Sequence, residues 1–180
     1  MGNYIISCDC ATKIFGWAII DKDTFKLIDY GDIRCDDEDT LERTYYMVDE
    51  LRKVIEKYKH DLVSAVVEDV PRQFQKNIET TVVLSKLNGA VLYLLHDYGI
   101  KTELIYPSTW HSKLDIKTSN GDVKEQSIEW VNKRYGLDLK YYSKSSKKND
   151  DNLSDPIAMA CVVLGNYDRA IKFGRKRGVI

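Results

Sequence analysis

Between Tyr4 and Ile33 three apolar runs follow one another with only short, turn-prone stretches between them. A crossover to a parallel strand needs roughly a dozen residues or more. Tyr4–Cys8, Phe15–Ile20 and Phe25–Ile33 are therefore expected to pair as an antiparallel meander. Everything downstream has to pack on that ribbon.

After the meander the period changes. Leu41, Tyr45, Val48, Leu51, Val54, Ile55 and Tyr58 keep helical spacing, entered through the acidic stretch 35–39 with Thr40 as the expected N-cap. Leu62 to Glu68 is a compact apolar run, read as a buried strand ending in a carboxylate. Ile78 to Tyr98 is apolar on most sides and reads as a deeply packed helix, with Gly99 as its C′ residue. Thr102–Tyr106 is a further strand, stopped by Pro107. Helices follow at 108–114 and 122–135. The lysine- and serine-rich stretch 136–150 reads as a mobile loop. A last helix begins near Asp151 to Asp155 and is expected to reach about Phe173, before a basic tail at 174–180.

The order β-β-β-α-β-α-β-α-α implies an α/β fold: one mixed five-stranded sheet, meander plus parallel strands, flanked by helices. At 180 residues this is a single domain with a sizeable core.

Charge is uneven along the chain. The whole carries −1, but 12 basic and 18 acidic residues leave 1–100 at −6, while 15 and 10 leave 101–180 at +5. Such a molecule can offer a basic side to a polyanion and stay soluble, although solvated faces cluster charge by chance too. Cys8, Cys10, Cys35 and Cys161 form no CxxC pair and read as reduced thiols. His60, His96 and His111 stand too far apart for a zinc site. No uncharged apolar run reaches the ~18 residues of a membrane span, and no basic flank precedes a leader-like segment. The expectation is a protein that stays in the cytoplasm, with no membrane partner.

The chemistry points to carboxylates. Asp9 ends an apolar strand, where an unpaired charge is costly. Glu68 ends another, and a strand following a meander commonly pairs beside the first one, which would bring both to the same sheet end. Asp151 and Asp155, at i and i+4, share one helix face. A hairpin-capping Asp, a strand-end ion pair and a helix-dipole complement would explain them one at a time. Together they are four carboxylates from three segments, a hard-oxygen set suited to Mg²⁺ or Mn²⁺, and two such ions could support phosphoryl displacement without a histidine base.

Five segments, in order, resemble one family. Cys8-Asp9-Cys10-Ala11-Thr12-Lys13 with Gly16-Trp17-Ala18, then Val66-Val67-Glu68, then Lys76-Asn77 before an apolar helix with Leu84, Leu87 and Gly89, then Tyr106-Pro107-Ser108-Thr109-Trp110, and last Asp155-Pro156-Ile157-Ala158-Met159-Ala160, are similar to the motifs of RuvC-like Holliday junction resolvases of the RNase H/retroviral-integrase superfamily. The fourth is most like phage-encoded members.

The resemblance implies an RNase H-like fold, a homodimer, no nucleotide cofactor, and Mg²⁺-dependent nicking of four-way and branched DNA, with Mn²⁺ as a substitute. It implies Asp9, Glu68 and Asp155 as ligands. For the fourth the family often uses the position three before the last acid, here Asn152; Asp151 and Asp150 compete with it. Lys124 and Lys113 match lysines near the scissile phosphate. Lys76 and Asn77 fall where the family meets DNA, and Phe74 stands where an aromatic wedges into the junction. A member carried by a phage would act in the bacterial host's cytoplasm. Competing readings are an RNase H-fold nuclease acting on structured RNA, a non-catalytic branched-DNA-binding module, and an actin-like ATPase; the last needs a second domain that 180 residues do not hold.

Overall fold

The computed structural model describes residues 2–70 and 78–167. Strands β1 (Tyr4–Asp9), β2 (Ile14–Asp21) and β3 (Leu27–Arg34) form the meander. Helix α1 (Thr40–Tyr58) leads to β4 (Leu62–Glu68), then α2 (Ile78–Asp97) to β5 (Lys101–Ile105). Helices α3 (Pro107–Lys113), α4 (Val123–Tyr135) and α5 (Asp151–Val163) complete the described chain, with a short 3₁₀ turn at Thr118–Asn120. The sheet order is β3-β2-β1-β4-β5, with β1–β2 and β2–β3 antiparallel and β1–β4 and β4–β5 parallel. This is the mixed five-stranded sheet the sequence implied.

Side-chain alternation divides the interior in two. Ile6, Cys8, Phe15, Trp17, Ile19, Ala65 and Val67 face α1 and α2. Ile5, Ala18, Ile20 and Val66 face α3, α4 and α5. Continued by one residue, the same period turns Asp9 and Glu68 toward the α5 side. Their strands are parallel neighbours with Cys8 beside Val67, so the two carboxylates leave the sheet side by side.

Helix α5 could not lie this close to the sheet over an ordinary residue. Gly16 pairs with Asp9 across β1–β2, and a Cβ on it would sit 1.9 Å from the Asn152 carbonyl oxygen. That carbonyl is spare because Pro156, four residues on, has no N–H to bond it. Glycine on the strand and proline in the helix together let the first turn of α5 press on the sheet.

Local details correct the sequence reading. The N-cap of α1 is Asp39, whose side chain accepts from the Leu41 and Glu42 amides, one residue before Thr40. Phe25 belongs to the β2–β3 turn at φ 59° rather than to β3. Helix α5 stops at Val163, not near Phe173. Gly165 at φ 68° donates to the Val162 carbonyl while Asn166 donates to that of Cys161, a Schellman end. Helix α2 has a mean hydropathy of 1.3 over a span-length window, which Glu79 and Lys86 hide from a search for uncharged runs. Its Leu87, Val91, Leu94 and Leu95 are core residues here.

The stretch 136–150 carries no helix or strand, yet it is tied down. Asn132 bonds both the amide and the carbonyl of Leu139, and Lys140 and Asp150 bond each other twice. The tail at 174–180 lies outside the described residues.

Overpacking at a backbone contact of this kind costs about 2 kcal/mol. Gly16→Ala should therefore lower the thermal midpoint by several degrees. Circular-dichroism melts check it, and an unchanged midpoint would mean that α5 does not need the close approach.

Candidate active site

The four acids meet at the carboxyl ends of β1 and β4, under the first turn of α5. Three of them are held by different partners. The Trp110 indole N–H donates to Glu68 Oε1 at 2.9 Å, and the Asn88 amide donates to the Glu68 carbonyl at 2.7 Å. Ser127 Oγ on α4 donates to Asp155 Oδ1 at 2.6 Å, with Ser154 Oγ 3.2 Å from the same oxygen. Lys124 Nζ is 2.8 Å from Asp151 Oδ2. Asp9 lies beside Glu68 at the adjacent ends of β1 and β4, within reach of its charge.

Burial in a poorly hydrated, crowded place raises the proton affinities of Asp9, Glu68 and Asp155. Burial pushes Asp9 well above the usual carboxylate range, and the charges of Glu68 and Asp151 add to it while Lys124 opposes. Burial, then the charge of Asp9, does the same to Asp155, against the two serine hydroxyls. Burial pushes Glu68 up to about 7, opposed by the Trp110 hydrogen bond. Lys124 is shifted the other way, deeper into its charged form, by its bond to Asp151. Among the described residues no three His, Cys, Asp or Glu side chains are already gathered into a metal cage. The acids are close, but Trp110, the serines and Lys124 occupy part of their bonding capacity.

The three candidates at the start of α5 point different ways. Asp150 Oδ2 accepts from the Lys140 amide, so it ties the loop. The Asn152 amide donates to Asp32 on β3, which Arg34 also holds. Asp151 faces the charges of Asp9 and Asp155.

A cleft of about 550 Å³ opens above Asp9, Lys124 and Asp151. The β1–β2 turn forms one wall, with Lys13, and the segment 144–149 forms another. Lys113 is exposed at the end of α3 and does not line the cleft. Phe74, Lys76 and Asn77 fall in 71–77, outside the described residues.

The sequence reading did not assign Trp110, Asn88, Ser127 or Ser154 to the site. The signal was there: a buried indole needs an acceptor, and polar residues inside apolar helices need partners.

The sheet order, the two helical layers and the carboxylates gathered at the ends of β1, β4 and the last helix define an RNase H-like nuclease fold. Within that class the chain belongs to the RuvC family, since the family model for crossover junction endodeoxyribonuclease RuvC matches residues 5–163. The RuvC protein of Fusobacterium nucleatum is 26% identical over 174 residues, 95% of this chain and 85% of that one. That of Petrotoga mobilis is 30% identical over 172 residues, 93% and 96% of the two chains. Among solved structures, Thermus thermophilus RuvC in complex with Holliday junction substrate superposes with a TM-score of 0.66 at 15% identity, covering 91% of this chain and 97% of that one. The yeast mitochondrial Holliday junction resolvase gives 0.55 at 13% identity, covering 93% and 82%. At these identities the structures speak for the fold alone.

Raised carboxyl pKa values have a consequence for stability. The folded chain keeps protons that the unfolded chain releases between pH about 4 and, for Glu68, about 7. Stability therefore falls as pH rises through that window. With chelator present, the melting midpoint should be higher at pH 5.5 than at pH 8, and Asp9→Asn should reduce the difference by removing one of the crowded charges. A midpoint that is flat or rises toward pH 8 contradicts this.

Proposed function

We propose that this chain resolves four-way DNA junctions by paired nicks, one from each subunit of a homodimer, using Mg²⁺ held by Asp9, Glu68, Asp151 and Asp155. The observation that carries the reading is the meeting of these carboxyls at the ends of β1 and β4 and the first turn of α5. Four hard oxygen donors crowd there, and a divalent cation would neutralise them. Mn²⁺ fits the same donors, and the set is large enough for two ions. When bound, such a cation polarises the phosphate and supplies a nucleophile from water near neutral pH.

The chain's own residues do the rest. Trp110 and Ser127 hold the carboxylates of Glu68 and Asp155 in place and leave each with further oxygen lone pairs for a cation. Lys124, now paired with Asp151, is placed to transfer its charge to the scissile phosphate as that charge builds. Asp151 completes the ligands, because the Asp150 and Asn152 side chains are committed to Lys140 and Asp32. Lys113, Phe74, Lys76 and Asn77 remain DNA contacts by resemblance to the family alone, and so does the phage-type character drawn from Tyr106–Trp110. The setting is the bacterial cytoplasm, in keeping with the bacterial relatives.

Synthetic four-way junction, Y-fork, linear duplex and RNA–DNA hybrid, each with and without Mg²⁺, separate this reading from an RNA nuclease and from a non-catalytic binding module. Wild type should nick the junction only with metal. Asp9→Asn and Glu68→Gln should abolish nicking while junction binding survives. Asp151→Asn should lower the rate by orders of magnitude, and Asn152→Ala only modestly. If Asn152→Ala is the inactive one, the fourth ligand is misassigned.

The dimer is supported by apolar surface on α2. The helix is not deeply packed as its sequence suggested: only Leu87, Asn88, Val91, Leu94 and Leu95 are buried, while Ile78, Val82 and Tyr93 are exposed, Tyr93 at 71%. Burying that face against a second copy would remove it from water. Sedimentation at micromolar concentration should give a mass near twice 20.8 kDa; a monomer both free and on junction DNA would contradict the proposal.

A further inference from the structure

We infer that the segment 143–149 is a prebuilt phosphate grip, in which Lys144 and Lys147 hold the phosphodiester backbone of the substrate strand beside the scissile bond. This deepens the nuclease reading and rests on it.

The first observation is placement. Lys144, Ser145, Ser146, Lys147 and Asn149 line the same cleft as Asp9, Asp151 and Lys124. Lys148, between them in sequence, does not. A strand entering to reach the carboxylates has to pass these two side chains.

The second is construction. The segment is closed on itself at both levels. At its neck the Lys140 amide donates to Asp150 Oδ2 at 2.7 Å, and the Asp150 amide to the Lys140 carbonyl at 3.0 Å. Inside it, Asn149, only 4% exposed, accepts from the Tyr142 amide at 2.9 Å and donates to the Ser143 carbonyl at 2.8 Å. The Ser146 amide closes a tight turn onto the Ser143 carbonyl at 3.0 Å. A loop made rigid in this way has little ordering entropy left to lose on binding. Its neck residue, Asp150, immediately precedes Asp151, so the grip and the carboxylates share one piece of backbone.

The third is electrostatic. Among the described residues neither Lys144 nor Lys147 has a carboxylate within 4.0 Å, whereas Lys124 and Lys140 are paired. The cleft floor is acidic, with Asp9, Asp36 and Asp151, and would repel a polyanion. Unpaired ammonium groups on the wall offset that repulsion at the place where a phosphate must come closest. Lysine suits this role as a mobile point charge that reads backbone and no base.

The test compares wild type, Lys144→Ala/Lys147→Ala and Lys148→Ala on a labelled four-way junction, with binding titrated against salt and cleavage followed in Mg²⁺. Removing one lysine–phosphate pair should flatten the log–log salt dependence by about 0.9, so the double variant should have a slope shallower by about 1.8. Its KM should rise about tenfold or more, with kcat within about threefold and the melting midpoint unchanged. Lys148→Ala should match wild type within about twofold. A double variant with wild-type slope and KM overturns the grip while leaving the nuclease reading intact. An equal effect from Lys148→Ala overturns it too, because only net charge would then matter. A wild type that neither binds nor nicks the junction overturns the nuclease reading and the grip with it.

Discussion

Four carboxylates crowd at one end of a buried sheet, and their mutual repulsion is the condition the surrounding structure has to satisfy. Like charges in a poorly hydrated place raise one another's proton affinity and weaken the fold unless something answers them. Here the answers are neutral or cationic donors brought from two helices, α3 and α4. The Trp110 indole reaches Glu68, the Ser127 hydroxyl reaches Asp155 and Lys124 reaches Asp151. Each donor takes one lone pair and leaves others free. The cluster is thus stable enough to fold and still incomplete enough to take up a cation.

Bringing the acids together is a matter of register and close approach. The two-residue period of β1 and β4 fixes which face Asp9 and Glu68 occupy, and parallel pairing sets them side by side. The third segment arrives because Gly16 leaves a gap in β2 and Pro156 leaves the Asn152 carbonyl free to enter it. Both residues act on the backbone and set how far α5 stands from the sheet.

How much of this was legible depended on how local the cause was. Asp9 and Glu68 were readable because an apolar strand ending in an acid announces itself, and the meander fixes where the next strand goes. Asp151 was favoured over Asn152 because a carboxylate binds a hard cation better than an amide, but the partners that engage Asp150 and Asn152, Lys140 and Asp32, were not legible, the second lying 120 residues away in sequence. The overlong last helix came from apolar residues continuing past Val163; Gly165, at positive φ, is what stops it. Phe25 read as strand because it is aromatic, while its backbone sits in a turn. The stretch 136–150 read as unstructured because its order comes from side-chain bonds to backbone, which leave no periodic trace in composition.

The sheet keeps two separate cores, one shared with α1 and α2 and the other with α3, α4 and α5. Both working ends of β1 and β4 turn toward the second. Substitutions confined to opposite faces have few shared partners, so their effects on stability should combine nearly additively. In evolutionary terms the molecule has two semi-independent ledgers of tolerated change. Apart from Asn88, which holds the Glu68 carbonyl, the α1–α2 half has freedom to drift in size and apolar surface. The α3–α5 half carries the geometry and has to hold still. That division is a physical reason to expect a substitution of given size to be better tolerated on the α1–α2 side of the sheet than on the α3–α5 side.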